Sequence, residues 1–91
     1  PHMLASIGAL VGLKDPAQAK FAGNGMRDTT RVASGHPGMW AEILMENREA
    51  LREPVEEAIT HLREMLALLD DSSDEALAEL LAKAKHLRDE L

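Results

Sequence analysis

Residues 4–13, Leu-Ala-Ser-Ile-Gly-Ala-Leu-Val-Gly-Leu, are the stretch of sequence that decides the fold. Every residue in it is apolar or small and none is charged, so a helix formed here has no polar face. Such a helix needs cover on all sides, which a chain of 91 residues rarely supplies alone because small domains bury little of their surface. The segment therefore predicts an all-α fold in which two copies of the chain share a core.

Helix start and stop signals follow this stretch. Residues 15–18, Asp-Pro-Ala-Gln, predict a short helix to about Phe21, with Asp as N-cap, Pro at the first helical position and Gln three residues after the cap. Residues 23–25, Gly-Asn-Gly, predict a loop that uses positive φ angles. Residues 26–33 have the length of one or two helical turns, and residues 34–37, Ser-Gly-His-Pro, end that helix and begin the next.

A long apolar stripe at helical spacing follows Trp40, opposite a charged face. Its members are Ile43, Leu44, Leu51, Val55, Ala58, Ile59, Leu62, Leu66 and Leu69. Pro54 lies within the stripe and removes one backbone hydrogen bond, which predicts a kink or short break there. Ser72 and Glu75 have capping-box spacing and predict the start of a final helix that pairs with the stripe as a hairpin.

Composition limits the classes of protein to consider. The chain is 45% hydrophobic but only 2% aromatic, a composition that favours helices over sheets. It has no Cys, which excludes disulfides and thiol chemistry and indicates a cytoplasmic protein. No apolar run reaches the ~20 residues that cross a bilayer. Residues 1–3, Pro-His-Met, resemble a cloning scar, so we expect one domain at 4–91, a fragment of a larger protein.

Charge is unevenly distributed over a net −6. Residues 1–41 hold four Lys/Arg and two Asp/Glu, whereas residues 42–91 hold six and fourteen. A strongly acidic second half repels phosphate groups, so we expect neither nucleic acid nor a membrane as partner. A helix-turn-helix DNA binder needs a basic recognition helix, which this half does not offer. His36, His61 and His86 are too scattered to predict a metal site.

Arg27 and Arg31 are four residues apart, so a helix presents both guanidinium groups on one face. Asp28 can pair with either, and Thr29 and Thr30 add hydroxyls. The arrangement is suited to binding a carboxylate or phosphate. The alternative is a set of ordinary surface ion pairs, each worth ~0–1 kcal/mol.

Residues 23–33, Gly-Asn-Gly-Met-Arg-Asp-Thr-Thr-Arg-Val-Ala, followed by Pro37, Met39, Trp40 and Asn47, resemble the dimerisation domain of prephenate dehydrogenases. The family pattern is a glycine loop, an aromatic residue, a basic-acidic pair, Thr-Arg, an aliphatic residue and Ala, and then Pro-x-Met-Trp. The resemblance implies a helical bundle like the C-terminal domain of 6-phosphogluconate dehydrogenase, forming an intertwined homodimer.

The resemblance also implies an NAD-dependent enzyme of tyrosine biosynthesis, which converts prephenate, or in some relatives arogenate, to a phenol by oxidative decarboxylation. In that family an N-terminal Rossmann domain binds NAD and supplies the catalytic His. No GxGxxG motif occurs in these residues, so we predict no catalytic, cofactor-binding or metal-binding residue here and no turnover by the fragment alone.

Carried over residue by residue, Arg31 falls where the family binds a substrate carboxylate. Arg27 and Asp28 fall on a gating ionic pair, and Gly23, Asn24 and Gly25 on the loop beside the substrate. Trp40 falls on a residue near the pocket, and its alternative role is that of a core residue.

Three positions depart from the family pattern. Asn24 replaces a usual Gly, Met26 a usual Phe, and His36 a usual N-capping Asp. None of them removes a charge that binds substrate, and they bear mainly on the choice between prephenate and arogenate. The alternative function, from a different class, is a free-standing helical interaction module in which the arginines bind nothing.

Overall fold

The protein is described here by a computed structural model that covers all 91 residues, and every regular element in it is a helix. The elements in chain order are α1 His2–Gly12, α2 Pro16–Ala19, α3 Asn24–Thr30, a 3₁₀ helix Arg31–Ser34, α4 Pro37–Glu46, α5 Arg48–Asp70 and α6 Asp74–Asp89. The all-α prediction is confirmed. None of the helices combines the length and apolar character needed to span a bilayer.

The chain divides into two compact units, residues 1–46 and residues 47–91. The first unit contains α1 to α4 and the 3₁₀ helix, and the second contains α5 and α6. The single domain at 4–91 stays a prediction.

The first unit is built on α1, which packs against α3 and the 3₁₀ helix. Its two buried residues are Ala5, 4% exposed, and Thr30, 8% exposed. Gly8 lies beside Thr30, since a Cβ at position 8 would come 3.6 Å from the Thr30 Cγ2. Small residues on α1 therefore bring the two helices close together.

The other side of α1 carries large apolar residues that the chain leaves exposed. Leu4, Ile7, Leu10 and Val11 are 64%, 54%, 68% and 66% exposed. At 100° per residue they occupy the helix face opposite Ala5. The helix predicted at residues 4–13 is confirmed, and the chain does not cover it from within.

The short helix α2 begins as its sequence predicts. Asp15 is the N-cap, Pro16 is the first helical residue, and the Ala17 N–H donates to the Asp15 carboxylate at 2.9 Å. The helix ends at Ala19, and a turn carries the chain through Phe21, which is 88% exposed.

Of the kink or short break expected at Pro54, the break does not occur, and the kink stays a prediction. Pro54 lies inside α5, and the helix is instead interrupted at Asn47, which takes φ −105° and ψ 13° as the N-cap of α5. The interior Pro removes only one hydrogen bond, which a helix of 23 residues accommodates. The stripe therefore spans two helices, α4 and α5.

The turn between α5 and α6 also differs from the prediction. Ser72 does not cap α6: it ends α5 in the left-handed conformation with φ 53°. The Ser73 N–H donates to the Leu68 carbonyl at 3.0 Å and the Ser72 N–H to the Leu69 carbonyl at 3.2 Å. This is the Schellman arrangement, which satisfies the last carbonyls of α5 and places Ser73 as the N-cap of α6.

In the second unit α5 and α6 contact each other, as the hairpin prediction requires. Met65, Leu68, Leu77 and Leu80 are half-buried. Other apolar residues of the two helices remain exposed, namely Ile59, Leu62, Leu66, Leu69, Leu81 and Leu87.

Few residues are buried within the two units. Ala5 and Thr30 are the only residues of the buried class, and most of the large apolar side chains remain at least a third exposed.

Candidate functional site

Arg27 and Arg31 lie on two helical segments that follow each other directly. Arg27 is in α3, and Arg31 begins the 3₁₀ helix, while Thr30 between them leaves the α-helical region at φ −98° and ψ 1°. Both side chains are exposed, and neither makes a hydrogen bond or an ion pair. The chain therefore presents two exposed, unpaired guanidinium groups four residues apart, which we call the arginine pair.

Two neighbouring residues fix the helix that carries the arginine pair. Met26 and Thr30 are also four apart, and both face α1. A Cβ at Gly12 would come 2.7 Å from the Met26 Cε, and Thr30 is buried beside Gly8. Each arginine follows one of these contact residues directly in sequence. Packing on α1 therefore sets the direction in which the arginine pair points.

Asp28 and the threonine hydroxyls are placed differently from the expectation. Asp28 is exposed and forms no ion pair with either arginine. The Thr29 hydroxyl donates to the Gly25 carbonyl and the Thr30 hydroxyl to the Met26 carbonyl, both at 2.7 Å. Since both protons are taken by the backbone four residues earlier, neither hydroxyl offers a donor to a ligand.

The predicted glycine loop is largely helical. Asn24 and Gly25 belong to α3, Gly23 is its N-cap with φ −84° and ψ −178°, and no glycine in the chain has positive φ. The helix starts this early because the Arg27 N–H donates to the Gly23 carbonyl at 3.2 Å. A Cβ at Gly23 or Gly25 would meet nothing within 4 Å, so neither glycine is required by packing within this chain.

Trp40 is half-buried in the first turn of α4. One face of its indole stacks on the His2 ring, with centroids 4.3 Å apart and planes at 17°. Its edge lies against Gly35, where a Cβ would come 2.8 Å from the Trp40 Cδ1. No cation–π contact joins Trp40 to the arginine pair. The structure thus places Trp40 as a partly packed residue of the first unit.

His36 takes over a capping role. Its Nδ1 accepts a hydrogen bond from the Met39 N–H at 3.1 Å, three residues on. An N-capping Asp makes the same bond with a carboxylate oxygen. His36 therefore still caps the N-terminus of α4, where the family pattern has Asp.

Of the predicted site residues, the structure brings Gly23, Asn24, Gly25, Arg27 and Asp28 together along one short helix that leads directly into Arg31. The sequence reasoning missed the roles of Met26 and Thr30, although their four-residue spacing was visible. No group of three or more His, Asp or Glu side chains is arranged to hold a metal ion.

Comparison with known proteins identifies the family. The model of the family described as "Prephenate dehydrogenase, dimerization domain" matches residues 1–83. The chain belongs to this family. The match confirms the resemblance to prephenate dehydrogenases that residues 23–33 indicate, and it extends over most of the chain.

Two curated relatives agree with the family match. The chain is 33% identical to a prephenate dehydrogenase of Bacillus subtilis (strain 168) over 76 residues, which make up 84% of this chain and 20% of that protein. It is 26% identical to a cyclohexadienyl dehydrogenase of Zymomonas mobilis over 93 aligned positions, covering 97% of this chain and 32% of the relative. The chain thus spans between a fifth and a third of the length of these relatives.

Proposed function

We propose that this dimerisation domain completes the substrate site of an NAD-dependent prephenate or arogenate dehydrogenase, with Arg31 binding a substrate carboxylate. The observation that carries the proposal is the arginine pair: two exposed guanidinium groups without protein partners, on a helix fixed by its packing on α1. The family match supplies the chemical context.

The chemistry of the substrate fits the arginine pair. Prephenate carries two carboxylates, and a guanidinium group binds a carboxylate through two parallel N–H···O bonds. Arg31 binds one carboxylate, and Arg27, four residues earlier and also unpaired, adds to the positive potential beside it. Asp28, which makes no ion pair within the chain, is assigned to the gating ionic pair with Arg27 only through the family resemblance.

Hydride transfer belongs to another part of the enzyme. NAD accepts the hydride when the substrate is oxidised and decarboxylated to the phenol 4-hydroxyphenylpyruvate. We place NAD binding and the catalytic His in a Rossmann domain outside these residues, because the relatives are three to five times longer than the stretch aligned here. This domain binds no cofactor, and its partners are its own second copy and that domain.

The remaining features of the proposal follow from the same context. The second copy is the partner named by the family description, and an apolar surface of this extent supports self-association. Trp40 forms a wall of the pocket while keeping its packing against Gly35. The enzyme acts in the cytoplasm, in the tyrosine branch of aromatic amino acid biosynthesis.

Steady-state kinetics of an enzyme that carries this domain tests the proposal. Arg31→Ala should raise the KM for prephenate by about 10- to 100-fold, since a hydrogen bond to a charged group is worth about 1.5–3 kcal/mol. Arg63→Ala is the matched control, because Arg63 is also exposed and unpaired but lies on α5. An unchanged KM for Arg31→Ala would overturn the assignment.

A further inference from the structure

We infer that Thr30 is a positioning residue for Arg31: its contact with α1 fixes the point at which the backbone turns, and with it the direction of the Arg31 guanidinium group. The inference deepens the proposed function, on which its kinetic test rests. In this assignment Thr30 touches no substrate and acts only through Arg31.

The side chain of Thr30 is held at both of its branches. The methyl group Cγ2 lies beside Gly8 of α1, where a Cβ would come 3.6 Å from it, and the hydroxyl donates to the Met26 carbonyl at 2.7 Å. Thr30 is 8% exposed, whereas its neighbours Thr29 and Arg31 are exposed. A β-branched side chain has few rotamers, so two anchors are enough to fix it. Thr30 is therefore held in place against α1.

The backbone changes its course at this residue. Thr30 has φ −98° and ψ 1°, outside the α-helical region, and the 3₁₀ helix begins at Arg31. The Arg31 N–H donates to the carbonyl of Asp28, three residues earlier, as in a 3₁₀ turn. A residue advances about 120° around the axis of a 3₁₀ helix and about 100° around that of an α-helix. The turn at Thr30 therefore sets the direction of the Arg31 side chain.

Thr29 provides a comparison within the same helix. Its hydroxyl donates to the Gly25 carbonyl at 2.7 Å, which is the bond that Thr30 makes to Met26, but its side chain is exposed. The chain leaves the α-helical path at the threonine that is buried beside α1, and not at the one that has only the hydroxyl bond. We therefore assign the positioning role to the contact of the Thr30 methyl group with Gly8.

A kinetic double-mutant cycle between Thr30 and Arg31, in an enzyme that carries this domain, tests the inference. Thr30→Ala removes both anchors and should raise the KM for prephenate about 3- to 10-fold with kcat unchanged, because substrate binding alone is weakened. In the Arg31→Ala background the same substitution should change KM by less than about twofold. Equal fold changes in the two backgrounds overturn the inference, because Thr30 would then act on the site by a route other than Arg31.

Three further variants separate the contact from the hydrogen bond. Thr29→Ala removes a hydroxyl bond of the same length from an exposed residue and should leave KM unchanged. Thr30→Val keeps a methyl group beside Gly8 without a hydroxyl and should also keep KM close to its original value. Thr30→Ser loses only the methyl group and should raise KM as Thr30→Ala does, so the test does not depend on the folding of one variant. A rise in KM for Thr30→Val as large as that for Thr30→Ala overturns the assignment.

Hydrogen exchange reads the geometry of the turn without any activity measurement. The Arg31 amide, which donates to the Asp28 carbonyl, should lose protection in Thr30→Ala and keep it in Thr30→Val. Unchanged protection in Thr30→Ala overturns the inference. Failure of the proposed function is distinguishable, because an unchanged KM for Arg31→Ala would remove the substrate assignment and leave the exchange result to decide whether Thr30 fixes the turn.

Discussion

The edge of the Trp40 indole lies directly against Gly35, where a Cβ would come 2.8 Å from the Trp40 Cδ1. An indole is rigid and cannot bend away as a flexible chain does. Gly35→Ala should therefore push the ring off its stack on His2 and destabilise the protein by about 1–3 kcal/mol, the usual cost of overpacking. Fluorescence of Trp40, the only Trp, reports the displacement, and denaturant unfolding measures the cost.

Gly12→Ala is the matched comparison for Gly35→Ala. A Cβ at position 12 would meet the Met26 Cε at 2.7 Å, but that atom is the end of a flexible side chain and can move. Since Ala also favours the helix by up to about 1 kcal/mol, the free energy of unfolding should change by less than for Gly35→Ala. Equal destabilisation by the two substitutions would contradict this explanation.

Gly25→Ala should have opposite effects on folding and on substrate binding. Within this chain the new Cβ has open space, and replacing Gly inside α3 should raise the free energy of unfolding by about 0.5–1 kcal/mol. If the substrate approaches this backbone, as the family resemblance implies, the same methyl group should raise the KM of the enzyme. Urea unfolding of the domain and kinetics of the enzyme measure the two effects separately, and an unchanged KM would place the substrate elsewhere.

Ser72→Gly should stabilise the second unit. Ser72 has φ 53° at the end of α5, a conformation that costs non-glycine residues about 1 kcal/mol and glycine almost nothing. The midpoint of urea unfolding should therefore rise without a change in slope. Ser73→Gly, one residue further, has no positive φ to relieve and serves as the control.

Asp15→Ala should weaken α2. The Asp15 carboxylate accepts the Ala17 N–H at 2.9 Å, and loss of such a cap costs about 0.5–2 kcal/mol. Asp15→Asn keeps a side-chain acceptor and should restore most of the loss. Helical circular dichroism together with unfolding curves distinguishes the two variants, and equal loss in both would show that charge, rather than the hydrogen bond, matters.

Local signals in the sequence predicted the elements well where a single signal controls the outcome. Asp15 caps α2 as expected, and the apolar stretch that starts at Leu4 forms a helix as far as Gly12. The prediction failed where two signals compete. Ser72 has the spacing of a capping box, but the carbonyls at the end of α5 recruit its backbone instead. At Pro54 the short break is absent because the long helix continues through the proline, while the kink stays a prediction.

The residues of the candidate site stay a prediction, and their backbone geometry was predicted only in part. The spacing of Arg27 and Arg31 predicted one helix face, whereas Thr30 leaves the α-helical region between them. Glycines at positions 23 and 25 suggested positive φ, but a helix that begins at Asn24 needs none. Spacing could not predict whether Asp28 forms an ion pair with either arginine, because an exposed charged side chain is almost equally stable when it is paired and when it is hydrated.

In α1 the glycines face the rest of the unit and the leucines face outward, and this arrangement affects how the protein folds in the cell. If a second copy covers this face, as the proposed self-association would allow, a newly synthesised chain keeps an exposed apolar surface until it meets that copy, and the encounter becomes a step of folding whose rate depends on protein concentration. Thermal melting temperatures should then climb with protein concentration, and weak expression should favour aggregation or proteolysis over a stable fold.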